Sequence, residues 1–430
     1  MPFTFTHHAR RVALTSGLCG LLAATPALAQ EKKEEKERKD QKQEQVSEED
    51  IARALAADQA AKTAAGQPQE PGAQSSGPIA TGIRAIQSFN PDISLIGDFA
   101  LAGFSSDVEM LGGHDPAENG FNLQGLELAV GASVDPYFRF DSNIVFTNEG
   151  VELEETYGTT TGLPLGLQVR AGKFNTRFGR FNPTHPHAWA FADQPVVLGR
   201  FFGGDGSRNV GVEVSDLLTF LPWYVEVVLS AQDARGETAR SFFGESEDPL
   251  APPILVASPA DLQYLTSLKQ FFPLSDDLSL AWGLSGAFGP NPLGRTEIYG
   301  TDVYLKYRPI GAESPTIISL HAEYLARLYR TAAGDYFDHG AFAHLLWRFD
   351  YRWVAGLSGE LVTAAAGHPL DGASAGLQQR YKANLTFYPT EFSRLRLQYD
   401  LELPGVRAST AHAVFLAIEL SIGAHGAHKF

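Results

Sequence analysis

The chain closes with HAVFLAIELSIGAHGAHKF, residues 412–430. Val414, Leu416, Ile418, Leu420 and Ile422 fall on one parity; Phe415, Glu419 and Ser421 fall on the other. Successive side chains of a strand point to opposite faces, so the segment reads as a strand with one unbroken apolar face and one mixed face. The apolar parity runs on to Phe430, the last residue.

Working back from the end, the same alternation recurs. Leu395, Leu397, Tyr399 and Leu401 alternate with Arg394, Arg396 and Asp400. Tyr381, Leu385 and Phe387 alternate with Arg380, Lys382 and Asn384, and Phe138, Phe140 and Ile144 with Arg139, Asp141 and Asn143. About sixteen such segments follow residue 88, many of them about 9–11 residues long, the span of a tilted strand crossing a bilayer. Apolar runs never reach the roughly 18 residues of a helical span. Every second connection is short, as at Asp135-Pro136, 160–166, Leu221-Pro222, 272–277, 308–315, 349–353 and 388–393. The alternate ones are longer, at 105–120, 175–208, 233–260, 289–298, 329–340 and 364–376. Tight turns at one end and extended loops at the other are the pattern of an outer-membrane barrel. The expected fold class is therefore all-β, a transmembrane antiparallel barrel of about sixteen strands over 88–430.

Ahead of it, Arg10 and Arg11, the apolar stretch 12–24 and Ala27-Leu28-Ala29 read as a signal peptide over 1–29. Cys19, the single cysteine, lies inside it, so no disulfide is expected in the mature chain. Residues 30–65 are a charged periplasmic segment, either helical or a solvated spacer, and 66–87 a flexible linker. The composition is 44% hydrophobic with a net charge of −16, which disfavours nucleic acid as a partner. No GxSxG, P-loop or HExxH motif occurs, and no enzyme activity is expected.

Parity assigns the lumen. Acidic positions dominate early, among them Glu127, Asp141 and Glu213; basic ones dominate late, among them Arg348, Arg380, Lys382, Arg394 and Arg396. Opposed acidic and basic walls steer small charged solutes through a wet pore. After the fifth strand comes the long loop 175–209, whose Trp189, Phe191, Phe201 and Phe202 need burial and whose Arg177, Arg180, Asp193 and Arg200 are candidates for a constriction. His185 and His187, two residues apart with Asp193 nearby, form a candidate metal pair, and His425 and His428 a second.

GKFNTRFGRFNP (172–183) resembles the sixteen-stranded porins, including the phosphate-selective group, over roughly residues 90–430. That resemblance implies a passive channel, a third outer loop folded into the lumen, a homotrimer, and delivery by the barrel-assembly machinery through a strand ending in Phe430. NPTHPHAWAFADQP (182–195), RFFGGDG (200–206) and GAHGAHKF (423–430) also resemble a proteobacterial set labelled zinc-regulated, TonB-dependent outer-membrane receptors. Residues 30–87 are too short for the plug of an energised receptor. The alternative this implies is a zinc-related or other metal-related receptor without a plug; a closed structural barrel is the third class. The reading that follows is an outer-membrane porin for small hydrophilic or charged solutes, contacting membrane lipid, with Zn2+ as the one candidate ion.

Overall fold

This computed structural model describes residues 91–106, 108–245, 254–310, 315–403, 405 and 409–423. The expected leader, charged segment and linker, together with His425, His428 and Phe430, lie outside the described residues. The strands are β1 (Asp92–Phe104), β2 (Gly120–Ser133), β3 (Phe138–Phe146), β4 (Val151–Thr160), β5 (Gln168–Asn175) and β6 (Arg208–Leu217). Then come β7 (Tyr224–Asp233), β8 (Leu262–Pro273), β9 (Leu278–Asn291), β10 (Gly294–Tyr307) and β11 (Ile317–Thr331). The last are β12 (Gly334–Asp350), β13 (Trp353–Ala364), β14 (Gly376–Thr390), β15 (Ser393–Leu403) and β16 (Ala411–Gly423). One short helix, α1 (Val196–Phe202), lies between β5 and β6.

Each strand pairs antiparallel with its sequence neighbours, and β1 closes the ring on β16. Leu101 lies opposite Leu416 and Asp98 opposite Glu419, so the closing pair puts its apolar residues on one face and its acids on the other. Along β16, Val414, Leu416, Ile418, Leu420 and Ile422 are exposed, while Phe415, Glu419 and Ser421 are buried. Closure satisfies the backbone of every strand, which an open sheet in lipid cannot do. The exterior is studded with Leu, Val and Ile. Near the short turns it carries a band of exposed aromatics that includes Tyr137, Trp223, Tyr307, Trp347 and Tyr351. An apolar belt with an aromatic girdle is the surface of a barrel that spans the outer membrane.

All seven short turns fall at one end, as the sequence predicts. Two of the expected outer loops do not exist. The 289–298 and 329–340 segments are continuous hairpin, turning only at Pro292-Leu293 and Ala332-Ala333. Beyond the bilayer no lipid thickness limits a strand, and continued pairing keeps the backbone groups bonded until a turn residue intervenes. Here these are Pro292, with Asn291 Oδ1 accepting from Leu293 N–H at 2.8 Å, and Gly334 at φ 149°.

The interior departs most from a simple polar lumen. Leu265, Ala287, Ile298, Leu325, Phe342 and Val362 face inward from β8 to β13 and are almost fully buried. Against this wall packs loop 3, the 176–207 connection, with Phe178, Phe181, Trp189, Val196, Val197, Leu198, Phe201 and Phe202; Phe242 of the following outer loop joins them. Each such side chain contributes on the order of 1.5–3 kcal/mol by leaving water. Close approach is made possible by glycine: a Cβ at Gly300 would stand 2.7 Å from the Phe178 ring, and one at Gly340 would stand 2.5 Å from Val197.

Candidate lumenal site

Loop 3 is tied to lumen-facing side chains across the barrel. Gly179 N–H donates to Ser285 Oγ (3.0 Å), Phe181 N–H to Glu323 Oε1 (2.7 Å), Ala192 N–H to Gln398 Oε1 (2.8 Å) and Val196 N–H to Glu360 Oε2 (3.0 Å). Asp193 is fully buried and accepts from Arg380 Nη1 (3.1 Å), Lys382 Nζ (2.5 Å) and Gln398 Nε2 (2.7 Å). Burial disfavours its charge, but Lys382 and Arg380 outweigh that and hold the carboxyl below the ordinary aspartate range. Glu402 backs Arg380 at 2.6 Å and Glu360 backs Lys382 at 2.7 Å. These two cations are thus engaged in anchoring loop 3. The sequence groups them with Arg394 and Arg396, and the structure separates them.

The other expected loop residues have distinct places. Arg177 reaches Glu213 (3.0 Å) and Glu226 (2.5 Å) on the acidic wall. Arg200, on α1, pairs with Glu109 of the first outer loop at 2.7 Å. Asp141 pairs with Arg139 at 2.8 Å.

Arg180 lies over the Tyr304 ring at 3.9 Å. It belongs to a wide vestibule on the short-turn side, with a volume of about 590 Å³. Arg348, Arg394, Arg396, His321 and His344 line the same space, with Tyr304 and Tyr388, and no carboxylate is among the lining residues. Arg394 and Arg396 both donate to Trp189 O, at 3.1 and 2.7 Å, and Arg394 also pairs with Glu419.

On the acidic wall a cluster forms that parity does not foresee. A bulge between β3 and β4 sets Asn143 opposite Glu155 and Ile144 opposite Leu153, so that Glu154 is the extra residue. Consecutive glutamates, which an even strand would send to opposite faces, are both buried on the lumen side. Glu154 Oε1 accepts from His114 Nε2 at 2.7 Å, and Arg208 Nη1 lies 3.3 Å from the same oxygen. Glu155 Oε2 accepts from His185 Nε2 at 2.7 Å, and Glu127 Oε2 from His187 Nδ1 at 2.8 Å. The His185 and His187 rings stack 5.7 Å apart at 9°. Burial disfavours protonation of His114, but Glu154 and Asp205 raise it to about 9. Asp193, expected to complete a site with His185 and His187, is absent from it: a buried carboxylate goes to two full cations in preference to two imidazoles.

A second buried network joins loop 3 to the outer loop after β13. Arg327, with no exposure, donates to Asp338 Oδ2 at 2.8 Å, to Asp371 and to Ser241 Oγ at 2.9 Å, beneath the Phe201 ring at 4.5 Å. His368 Nε2 lies 3.2 Å from Asp338 Oδ2, while Nδ1 accepts from Leu370 N–H at 3.1 Å. Burial, seconded by Arg327, holds His368 down at about 4, against 6.5 for the free imidazole. The unfolded chain therefore takes up a proton that the folded one refuses. The contribution of this group is complete above pH 6.5 and is lost as pH falls from 6.5 towards 4. Unfolding midpoints measured between pH 7 and 4.5 are expected to fall by an amount worth a few kcal/mol. His368→Asn should flatten that slope, and an equal slope in the variant would remove His368 as its cause.

No family model matches the chain. A protein of Aquifex aeolicus (strain VF5), described as "Uncharacterized protein", is 34% identical over 394 residues, which cover 80% of this chain and 81% of that one. The chain belongs to the family of that protein. Among solved structures, Pseudomonas putida OprB shares the fold with a TM-score of 0.53 at 12% identity, over 80% of this chain and 96% of that one. The anion-selective porin from Comamonas acidovorans follows at 0.52 and 10%, over 77% and 99%. The outer membrane channel DcaP of Acinetobacter baumannii stands at 0.51 and 13%, over 77% and 96%. These likenesses show the sixteen-stranded porin barrel as the fold of this family member.

The sequence-predicted residues are thus brought together in four sets: His185 and His187 with Glu127, Asp193 with Arg380 and Lys382, Arg177 with Glu213, and Arg180 and Arg348 with Arg394 and Arg396. His114 and Glu155 were invisible to sequence reasoning. His114 lies in a polar loop, and Glu155 has the wrong parity until the bulge is known.

Proposed function

We propose that this protein is a passive outer-membrane channel for small hydrophilic or charged solutes, narrowed by loop 3 and preferring anions. The observation that carries the reading is the vestibule, where four arginines and three histidines meet with no carboxylate in the lining. Clefts lined by one sign of charge and walled by low-dielectric protein concentrate counter-ions. Loop 3 supports a constriction because it crosses from β5 to side chains of β9, β11, β13 and β15. The anion-selective porin of Comamonas acidovorans shares the fold, which agrees with the reading without carrying it. Homotrimer formation and assembly through the C-terminal strand belong to the same proposal.

Planar-bilayer reversal potentials in a KCl gradient test it. The wild type is expected to favour chloride, and Arg180→Glu with Arg348→Glu to move the preference towards potassium. An unmoved reversal potential would take the vestibule out of the ion path. A folded barrel without conductance steps would favour a closed structural barrel.

A further inference from the structure

Among the described residues, four groups of histidines and carboxylates are close enough to share a cation. Three have a guanidinium inside them. Arg327 neutralises Asp338 and Asp371 around His368, and Arg208 lies on Asp205 and Glu152 as well as on Glu154 Oε1. The fourth, Glu127, Glu154 and His185, turns two carboxylate oxygens and an imidazole nitrogen towards its centre, with no guanidinium among them.

The orientation of His185 explains why. A carboxylate only accepts, so the contact of His185 Nε2 with Glu155 Oε2 at 2.7 Å puts the proton on Nε2. Asn143 lies 2.9 Å from the same nitrogen, where its amide can present either end. Nδ1 then faces Glu154 Oε2 at 3.3 Å and Glu127 Oε1 at 3.9 Å, and offers a lone pair there whenever the ring is neutral. Both oxygens are buried and neither has a hydrogen-bond partner, although the other oxygen of each carboxylate is bonded. Three lone pairs converging in a buried site repel one another unless a proton or a metal cation sits between them. Donors about 2.0–2.2 Å from a tetrahedral ion stand roughly 3.3–3.6 Å apart, close to the spacing observed.

The surrounding groups complete such a site. Glu155 acts as the outer carboxylate that fixes a ligating imidazole, and the Glu127 contact with His187 does the same for the second glutamate. Cavities of about 30 and 20 Å³ flank the cluster, each lined by Glu154 and His114, and each room for one water. The β3–β4 bulge that turns both Glu154 and Glu155 inward is the local device that builds it. We infer that Glu127 Oε1, Glu154 Oε2 and His185 Nδ1 bind one divalent first-row metal ion of the zinc class, with water as the fourth ligand. The site stands whether or not the barrel conducts. It fastens loop 3 to β2 and β4, as Asp193 fastens it to β14 and β15.

Calorimetric titration of the full chain in detergent, stripped with chelator, tests this with Zn2+ alone and with Mn2+ alone. One zinc equivalent is expected to bind with micromolar or tighter affinity and Mn2+ more weakly. Glu127→Gln and His185→Gln should each weaken zinc at least about tenfold, and His368→Gln, in the other network, should not. Absence of saturable binding, or equal affinity in the Glu127 and His185 variants, overturns the site. Should those variants fail to refold, X-ray absorption on the zinc-loaded wild type decides. An oxygen and nitrogen shell with imidazole scattering supports the assignment, and a shell without imidazole overturns it.

Discussion

Asp193→Ala is expected to release loop 3 from the β14–β15 wall, raising single-channel conductance and cutting stability by about 3 kcal/mol or more. Asp193 is where the loop's charge meets the wall: Arg380, Lys382 and Gln398 all donate to it. Removing a buried carboxylate leaves its cations to their remaining partners. Here these are Glu402 and Glu360, which keeps the loss near the lower end of the range for a broken buried pair. Asp193→Asn should retain the Gln398 contact and lose the ionic part, giving an intermediate phenotype. Acid should act in the same direction. Because the folded carboxyl titrates below its ordinary value, its contribution is full above about pH 4 and lost as pH falls further. Conductance steps and a urea unfolding curve on the same refolded sample check the prediction. Wild-type steps together with a wild-type midpoint would show that Asp193 holds nothing.

Arg327→Met is expected to cost about 3–5 kcal/mol, because it takes the guanidinium from the buried Asp338 and leaves Asp371 with Arg240 alone. The guanidinium is wholly enclosed among Asp338, Asp371, Ser241 and the Phe201 ring. Its removal loosens the loop after β13 and the α1 end of loop 3 together. Methionine fills most of the volume, so the loss reports charge rather than a cavity. Adding Asp338→Asn to Arg327→Met should recover part of the stability, since the carboxylate left without a guanidinium is then gone, while Asp371 keeps Arg240. A double variant no better than the single one would refer the loss to packing under Phe201. Loss of the heat-dependent mobility shift of folded barrels, followed against temperature, reads all of these variants.

Period-two alternation made the barrel legible, because lipid outside and water inside impose the same parity on every strand. On β14, β15 and β16 the exposed residues are those the alternation places outside. The loop contents were legible in part. Trp189, Phe201 and Phe202 announce burial by their size, and His185 and His187 announce a polar contact by their spacing. Two things were not. The inward apolar wall of Leu265, Ile298, Leu325 and Phe342 breaks no rule that a sequence reader can see, since an apolar residue at a lumen position has meaning only beside the loop that covers it. The Glu154–Glu155 pair depends on one bulge, and a bulge reverses parity without leaving a signature residue. Arg380 and Lys382 look identical to Arg394 and Arg396 in a pattern of alternating cations. Only Asp193, almost two hundred positions earlier, separates them.

The glycines beneath loop 3 bear on how the barrel finds its strand register. From outside, a slip of two residues between neighbouring strands exchanges one lipid-facing apolar residue for another, and the membrane has no means to object. The inside does. Moving β10 by two places would put Ile298 or Asp302 where Gly300 now admits the Phe178 ring, and moving β12 would put Asp338 or Phe342 under Val197. Neither fits. Loop 3 therefore seats fully against only one alignment of the strands around it, and the folded barrel carries the record of its register on its inner face.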